Sequence, residues 1–180
     1  MYPRPVAEPF PPARGQRAPW SSLGADVLQA LEDHFGGAVV RAETCPEGFS
    51  PAVAAVVDFA NGTSAFVKAV NKNANPDSPQ AYRNEADLTP RLPPGACAPA
   101  LLWSYEDADW VALAFEKIAG HTPELPWRHA ELDRVLLALD ALATALTPSP
   151  IGAPAVATVY GFDCWREVAT HTYHLRSQRQ

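Results

Sequence analysis

An Asn-Gly pair at positions 61 and 62 separates two apolar runs, residues 52–59 and 65–70. Asn-Gly readily adopts the positive backbone angles of a two-residue turn, so such a pair between apolar runs strongly predicts a β-hairpin. Side chains alternate between the two faces of a strand, and Lys68 therefore shares a face with Phe66 and Val70. The hairpin is thus predicted to carry one lysine among apolar neighbours, on a face that could form the wall of a cleft.

The segments around this hairpin predict the rest of an α+β fold. Three more apolar runs have strand character and would complete a five-stranded antiparallel sheet: residues 39–41, 100–105 and 110–115. Apolar residues at helical spacing predict three helices, over residues 23–35, 80–92 and 132–146. We expect Ser21 or Ser22 to cap the first helix, Gly36-Gly37 to end it, and prolines to end the other two.

Composition divides the chain of 180 residues into three parts. Residues 1–19 hold six prolines, which remove backbone donors and offer little to bury, so this part is expected to be a disordered leader. Residues 20–120 contain all five predicted strands and form the main lobe. Residues 121–180 are expected to be the incomplete start of a second, helical lobe.

Charge, hydropathy and cysteine usage exclude several classes of partner. The net charge of -6 and the scattered arginines are unlike the basic surface of a nucleic-acid binder. No stretch approaches the roughly eighteen apolar residues of a membrane span, so no membrane partner is expected. Three widely spaced cysteines fit reduced thiols better than a disulfide framework, and the expected location is the cytoplasm.

Glu85 follows Lys68 by seventeen residues and falls inside the second predicted helix. A strand lysine that pairs with a helix glutamate is the way in which kinases hold the phosphates of ATP. The alternative is that both residues are ordinary solvated surface charges, which is the usual state of lysine and glutamate. The order of the surrounding elements favours the first interpretation.

Several short motifs follow one another around this pair: Gly48-Phe49-Ser50, Phe66-Val67-Lys68, Arg83-Asn84-Glu85-Ala86, Leu101-Leu102-Trp103-Ser104-Tyr105 and Phe115-Glu116-Lys117-Ile118-Ala119-Gly120. In this order they resemble the amino-terminal lobe of the aminoglycoside phosphotransferase family of kinase-like enzymes. The resemblance covers roughly residues 20–150 and implies a kinase-like lobe with a glutamate-bearing helix, followed by a truncated helical segment.

The resemblance implies a nucleotide site with ATP as the ligand. Lys68 would bind the α- and β-phosphates, Glu85 would orient the lysine, and the loop around Gly48 and Ser50 would cover the phosphates with backbone amides. Gly48 is the one glycine of this loop, and it is equally compatible with a simple turn.

The resemblance also implies a hinge that holds adenine. The Glu116 carbonyl and the Ile118 amide would make the hydrogen bonds to the base, and Phe115 would lie behind it. Because backbone groups make these bonds, the sequence predicts them only through the position of the hinge before Gly120.

Phosphoryl transfer needs further residues, which the family carries in a His-Gly-Asp loop, a following Asn and a later Asp in its second lobe. No His-Gly-Asp triplet occurs in this chain. No catalytic or metal-binding residue is therefore predicted, and Mg²⁺ and a small-molecule acceptor are expected only for a full-length relative. His171 and His174 are interpreted as residues of a solvated polar tail, because no carboxylate or thiolate follows at ligand spacing, and Asp163 stands alone beside Cys164.

Two hypotheses about function remain open at this stage. The first is an ATP-binding lobe of a small-molecule kinase that is truncated and inactive as written. The second is a non-catalytic protein-interaction module in which Lys68 is a surface lysine. The two differ in what a Lys68→Ala substitution should do to nucleotide binding.

Overall fold

The computed structural model describes residues 17–46, 50–123 and 126–154, and its strands form one antiparallel sheet. The strands are β1 (Val39–Thr44), β2 (Val53–Phe59), β3 (Ser64–Asn71), β4 (Leu101–Glu106) and β5 (Trp110–Glu116). Their order in the sheet is β1-β2-β3-β5-β4. The α-helices of these ranges are α1 (Ala25–Phe35), α2 (Pro79–Leu88) and α3 (His129–Leu146). The predicted α+β class with a five-stranded antiparallel sheet is confirmed.

The β2–β3 hairpin turns at Asn61-Gly62, as the sequence predicts, but the loop covers residues 60–63 and is longer than a two-residue turn. Gly62 has a φ of 84°, in the left-handed region that favours glycine. The Asn61 side chain fixes the turn, since its Oδ1 accepts from the Thr63 amide (3.0 Å) and its Nδ2 donates to the Phe35 carbonyl at the end of α1 (2.6 Å). The turn therefore sets the strand register and ties the hairpin to the first helix.

One face of the sheet is closed by α1. On β3 the side chains of Ala65, Val67 and Ala69 point to this face and are completely buried. Val27 and Leu31 of α1 pack against this face, each with no exposed surface. The buried residues of this face, in the described part of the chain, are all apolar.

The opposite face carries Lys68 and is covered by α2 over part of its width. Lys68 lies across from Ala54 on β2 and from Leu113 on β5, and directly opposed residues share a face. Tyr82 of α2 packs in a buried cluster with Leu113 and Phe115 on this face. Lys68 therefore lies at the margin of the area that α2 covers.

The helix boundaries differ from the prediction. Helix α1 begins at Ala25, because Ser22 lies in a 3₁₀ turn (Trp20–Ser22) where its hydroxyl donates to the Pro19 carbonyl at 2.7 Å instead of capping the helix. Helix α2 ends at Leu88 and is followed by a 3₁₀ turn (Thr89–Arg91), since Pro90 has no amide to continue the helical ladder.

Helix α3 begins at His129, three residues earlier than the predicted apolar stripe. The stripe is present in the sequence, but no residue of this helix is buried by the described part of the chain. Leu137 is 70% exposed, and Leu136 and Leu139 are also exposed. Within the described ranges, none of the helices is long and apolar enough to cross a membrane.

The beginning of the described chain lies against β2. Ala18 forms a parallel bridge with Val53, and its amide donates to the Ala52 carbonyl at 3.3 Å. The predictions for residues 1–16, for Gly48, and for Asp163, His171 and His174 lie outside the described residues.

Candidate functional site

The Lys68 and Glu85 side chains meet where β3 faces α2. The Nζ atom of Lys68 donates to Oε2 of Glu85 at 2.6 Å, which is the distance of a strong charge-assisted hydrogen bond. The lysine side chain is 23% exposed and the glutamate 37%, so the pair lies at the edge of the core with access to solvent. The sequence-predicted contact between the two residues is therefore present.

Local structure explains why Glu85 points to Lys68. Pro79 starts α2, a position that suits proline because its missing amide would be unpaired there anyway. Tyr82 then anchors the helix in the core, and Glu85 follows three residues later on the same face of the helix. The buried tyrosine thus fixes which face of α2 meets the sheet, and that face carries the glutamate.

Two aromatic rings lie beside the ammonium group of Lys68. The Nζ atom is 4.6 Å from the ring centroid of Tyr82 and 5.9 Å from that of Phe115, both within the range of a cation–π interaction. Both rings are buried. Burial raises the pKa of the Tyr82 hydroxyl to about 12, so the ring is neutral at ordinary pH.

A second ionic cluster, which the sequence analysis missed, joins α2 to the β4–β5 turn. Glu106 accepts hydrogen bonds from Lys72 Nζ (2.6 Å) and from Arg83 Nη2 (2.7 Å) and Nε (3.0 Å). The hydrogen bonds from Arg83 and then Lys72 lower the pKa of Glu106 to about 2. No local spacing predicts this cluster, because the order of β5 and β4 in the sheet is what brings Glu106 to α2.

The open part of the Lys68 face ends in a cleft of about 350 Å³. Val56 lies on its floor, two residues along β2 from Ala54, which is the partner of Lys68. Charged groups form its rim: Arg41, Glu43, Asp58 and Lys117. Hydrogen bonds from Ser64 and Lys117 lower the pKa of Asp58, which is consistent with an ionised carboxylate at this rim.

A separate cavity of about 260 Å³ lies beside the other face of the sheet, lined by Val53, Ala69 and Trp110 among others. None of its lining residues is charged. It therefore offers no cationic side chain to a phosphate.

The other predicted site residues lie before β2 and at the end of β5. Ser50 is half-buried before β2, its carbonyl accepts from Arg17 (3.3 Å), and its hydroxyl accepts from Asn75 (3.4 Å). Phe115 is buried beside Lys68, as described above. Glu116 ends β5, and its Oε1 accepts from the Ala100 amide at 3.1 Å. Their predicted contacts with a nucleotide stay predictions.

Ile118 follows β5 and is 62% exposed. Its role in a hinge and its amide contact with a base stay predictions. In residues 17–46, 50–123 and 126–154 there is no group of three or more His, Cys, Asp or Glu side chains that could hold a metal ion.

Comparison with known proteins gives one distant likeness. No protein-family model matches the chain, and no curated protein is similar to it. A crystal structure described as a "putative fructosamine-3-kinase" from Haemophilus somnus 129PT is similar, with a TM-score of 0.49 and 15% sequence identity. The match covers 71% of this chain and 39% of that protein, and this likeness is too weak to assign a family or an activity.

Proposed function

We propose that this chain is the nucleotide-binding lobe of a kinase-like small-molecule phosphotransferase of the aminoglycoside phosphotransferase type, and that Lys68 holds the phosphates of ATP. The observation that carries the proposal is the 2.6 Å hydrogen bond between Lys68 on β3 and Glu85 on α2, at the margin of the covered part of the sheet. A strand lysine oriented by a helix glutamate is the arrangement that kinases use for the α- and β-phosphates.

The chemistry of Lys68 fits an anionic ligand. A lysine ammonium group has three hydrogen-bond donors, and among the described residues Glu85 is the hydrogen-bond acceptor that it contacts. Donors therefore remain for phosphate oxygens on the open side. The hydrogen bond to Glu85 fixes the direction of the lysine side chain, so little side-chain entropy is lost when the ligand binds.

The cleft farther along the Lys68 face of the sheet supports a position for the base. It begins at Val56 and extends to Lys117, which lies between the two predicted hinge residues Glu116 and Ile118. The apolar side chain of Val56 offers a planar base a surface to pack against. We propose that the Glu116 carbonyl and the Ile118 amide hold adenine here, with Phe115 behind it.

Transfer of a phosphoryl group is not proposed for this chain by itself. No His-Gly-Asp triplet occurs in its 180 residues, and no Mg²⁺ ligand set is formed by its described part. Mg²⁺ would neutralise phosphate charge in a longer relative, and a small-molecule acceptor belongs to the same expectation. Acceptor-dependent phosphorylation by the purified chain would contradict this part of the proposal.

Calorimetric titration with ATP tests the proposal. We expect the wild-type chain to bind ATP and Lys68→Ala to bind it about tenfold more weakly or worse, since about 1.4 kcal/mol corresponds to a factor of ten. Lys72→Ala is the matched control, because Lys72 also makes a 2.6 Å contact with a carboxylate but belongs to the other cluster. The affinity of the Lys72→Ala variant for ATP should stay within about twofold of the wild-type affinity.

A non-catalytic interaction module is the second candidate function, and the exposed leucines of α3 favour it. Under this alternative the wild-type chain has no affinity for ATP that depends on Lys68. Equal titration curves for the wild type, Lys68→Ala and Lys72→Ala would therefore reject the nucleotide site and leave this alternative.

A further inference from the structure

The Lys68 ammonium group lies next to an aromatic ring. Its Nζ lies 4.6 Å from the ring centroid of Tyr82 and 2.6 Å from Glu85 Oε2. Tyr82 and Glu85 are three residues apart on α2, so one helical face presents both groups to the same lysine. Phe115 supplies a second ring at 5.9 Å from the side of β5.

The two contacts from α2 differ in their freedom to move. Glu85 is 37% exposed and has three rotatable side-chain bonds, so it alone could follow the lysine to other positions. Tyr82 is buried in the cluster with Val70, Val111 and Leu113, and its ring cannot leave without opening the core. Of the two contacts that α2 makes with Lys68, the Tyr82 ring is therefore the rigid one.

A ring also acts on a cation differently from a carboxylate. The negative face of the ring attracts the whole positive charge through the quadrupole of the π-system, and it does so without an oxygen acceptor of its own. An ammonium group held in this way keeps donors for a ligand. The neutral state of the Tyr82 phenol, whose pKa is raised by burial, leaves this attraction unchanged across the ordinary pH range.

We propose that Tyr82 is a positioning residue of the nucleotide site: its ring, aided by Phe115, seats the Lys68 ammonium group so that the remaining donors face the phosphates. This inference rests on the proposed function, because it assigns to Tyr82 a role in the same phosphate contact. If Tyr82 has this role, the affinity of the site for ATP depends on the electron density of the Tyr82 ring.

Two substitutions separate the ring from the bulk of the side chain. Tyr82→Phe keeps the ring, and ATP affinity should stay within about twofold of the wild type. Tyr82→Leu keeps apolar volume and removes the ring, and affinity should fall about 3- to 25-fold, the range that corresponds to a cation–π contact of intermediate burial. Urea unfolding of each variant shows whether the fold is kept.

A fluorinated series provides the readout that a purely structural role would not change. Phenylalanine at position 82 is replaced by analogues with one, two and three ring fluorines, which weaken the negative face of the ring step by step with little change in shape. We expect ATP affinity to fall progressively along the series, while the urea midpoint stays nearly constant. This series decides the question even if Tyr82→Leu fails to fold.

The outcomes distinguish the two proposals. If Lys68→Ala weakens ATP binding but the fluorinated series leaves affinity unchanged, the role of Tyr82 is overturned and the nucleotide site stands. If the wild-type chain shows no ATP affinity that depends on Lys68, both proposals are overturned together.

Discussion

Two lysine–carboxylate pairs have their lysine on β3 or directly after it. The two pairs are nearly the same in Nζ–O distance and in side-chain exposure. Lys68–Glu85 and Lys72–Glu106 both have Nζ–O distances of 2.6 Å. The lysine side chains are 23% and 21% exposed, and the glutamates 37% and 39%. Neither measure distinguishes a ligand-binding lysine from a structural one.

The surroundings of the two pairs do differ. Lys72 Nζ also donates to the Asp107 carbonyl at 2.6 Å, and Glu106 also accepts two donors of Arg83. Among the described residues, Lys72 therefore has two acceptors for its three donors, whereas Lys68 has one. Lys68 has one carboxylate and two rings around it, and its ammonium group keeps donors without a described acceptor.

This difference predicts a division of roles between the clusters. The Lys72 cluster connects three segments, namely the end of β3, helix α2 and the β4–β5 turn, so it should contribute to stability. The Lys68 pair joins β3 to α2 and faces the open side of the sheet, so it should contribute to binding. The following substitutions test the division, in order of decreasing expected effect.

The Glu85→Gln substitution should weaken ATP binding about tenfold, which is about 1.4 kcal/mol. The neutral amide is nearly isosteric but no longer stabilises the ammonium charge, and a charge-assisted hydrogen bond is roughly twice as strong as a neutral one. The free energy of unfolding should change by less than about 0.5 kcal/mol, since this pair is partly exposed. Calorimetry and urea unfolding on the same sample measure both quantities, and a stability loss without a binding loss would reverse the assignment.

The Glu106→Gln substitution should do the opposite: it should lower the stability of the fold and leave ATP affinity nearly unchanged. It removes the charge that Lys72 and Arg83 share, and we expect a loss of about 1 kcal/mol in the free energy of unfolding, at the upper end for exposed pairs because several hydrogen bonds form a network. ATP affinity should stay within about twofold of the wild type. A larger drop in affinity would mean that the cluster holds α2 in place for Glu85.

Acid should remove the contribution of Glu106 to stability. Its pKa in the folded protein, about 2, lies below the ordinary 4.5, so this carboxylate stabilises the fold above about pH 4.5, and the contribution is lost as the pH falls towards 2. Because Gln does not titrate, the stability difference between the wild type and Glu106→Gln should narrow from pH 5 to pH 3. Solvent screening keeps this effect small, and urea midpoints at several pH values measure it. If the stability difference between the wild type and Glu106→Gln did not change with pH, the effect of the substitution would come from packing and not from the charge of Glu106.

Much of the fold could be predicted from local signals. The Asn61-Gly62 turn, the alternation along β3 and the end of α1 at Gly36 each depend on a few neighbouring residues, and the structure has all three. Gly36 has a φ of 69°, and its amide donates to the Glu32 carbonyl at 2.9 Å. Backbone preferences of this kind act within one turn or one strand, so the sequence is enough to predict them.

The candidate site could be predicted in part. The pairing of Lys68 with Glu85 was predicted from one strand, one helix and the loop between them, and the two side chains do meet. The Tyr82 ring beneath the lysine was not predicted, because an aromatic residue at helical spacing also fits an ordinary core position. The Glu106 cluster was missed because its members are 23 and 34 residues apart.

The sequence by itself determined which residues turn, which alternate between the faces of a strand, and where one lysine enters an apolar face. The tertiary structure alone decided that β5 inserts between β3 and β4 and brings Glu106 to α2. It also decided that Lys68 has fewer acceptors around its ammonium group than Lys72 among the described residues, and so keeps more donors for a ligand. Turn and strand preferences are short-range energies within one segment, whereas strand order and the number of acceptors around a cation depend on segments that are distant in the chain and meet only in the folded core.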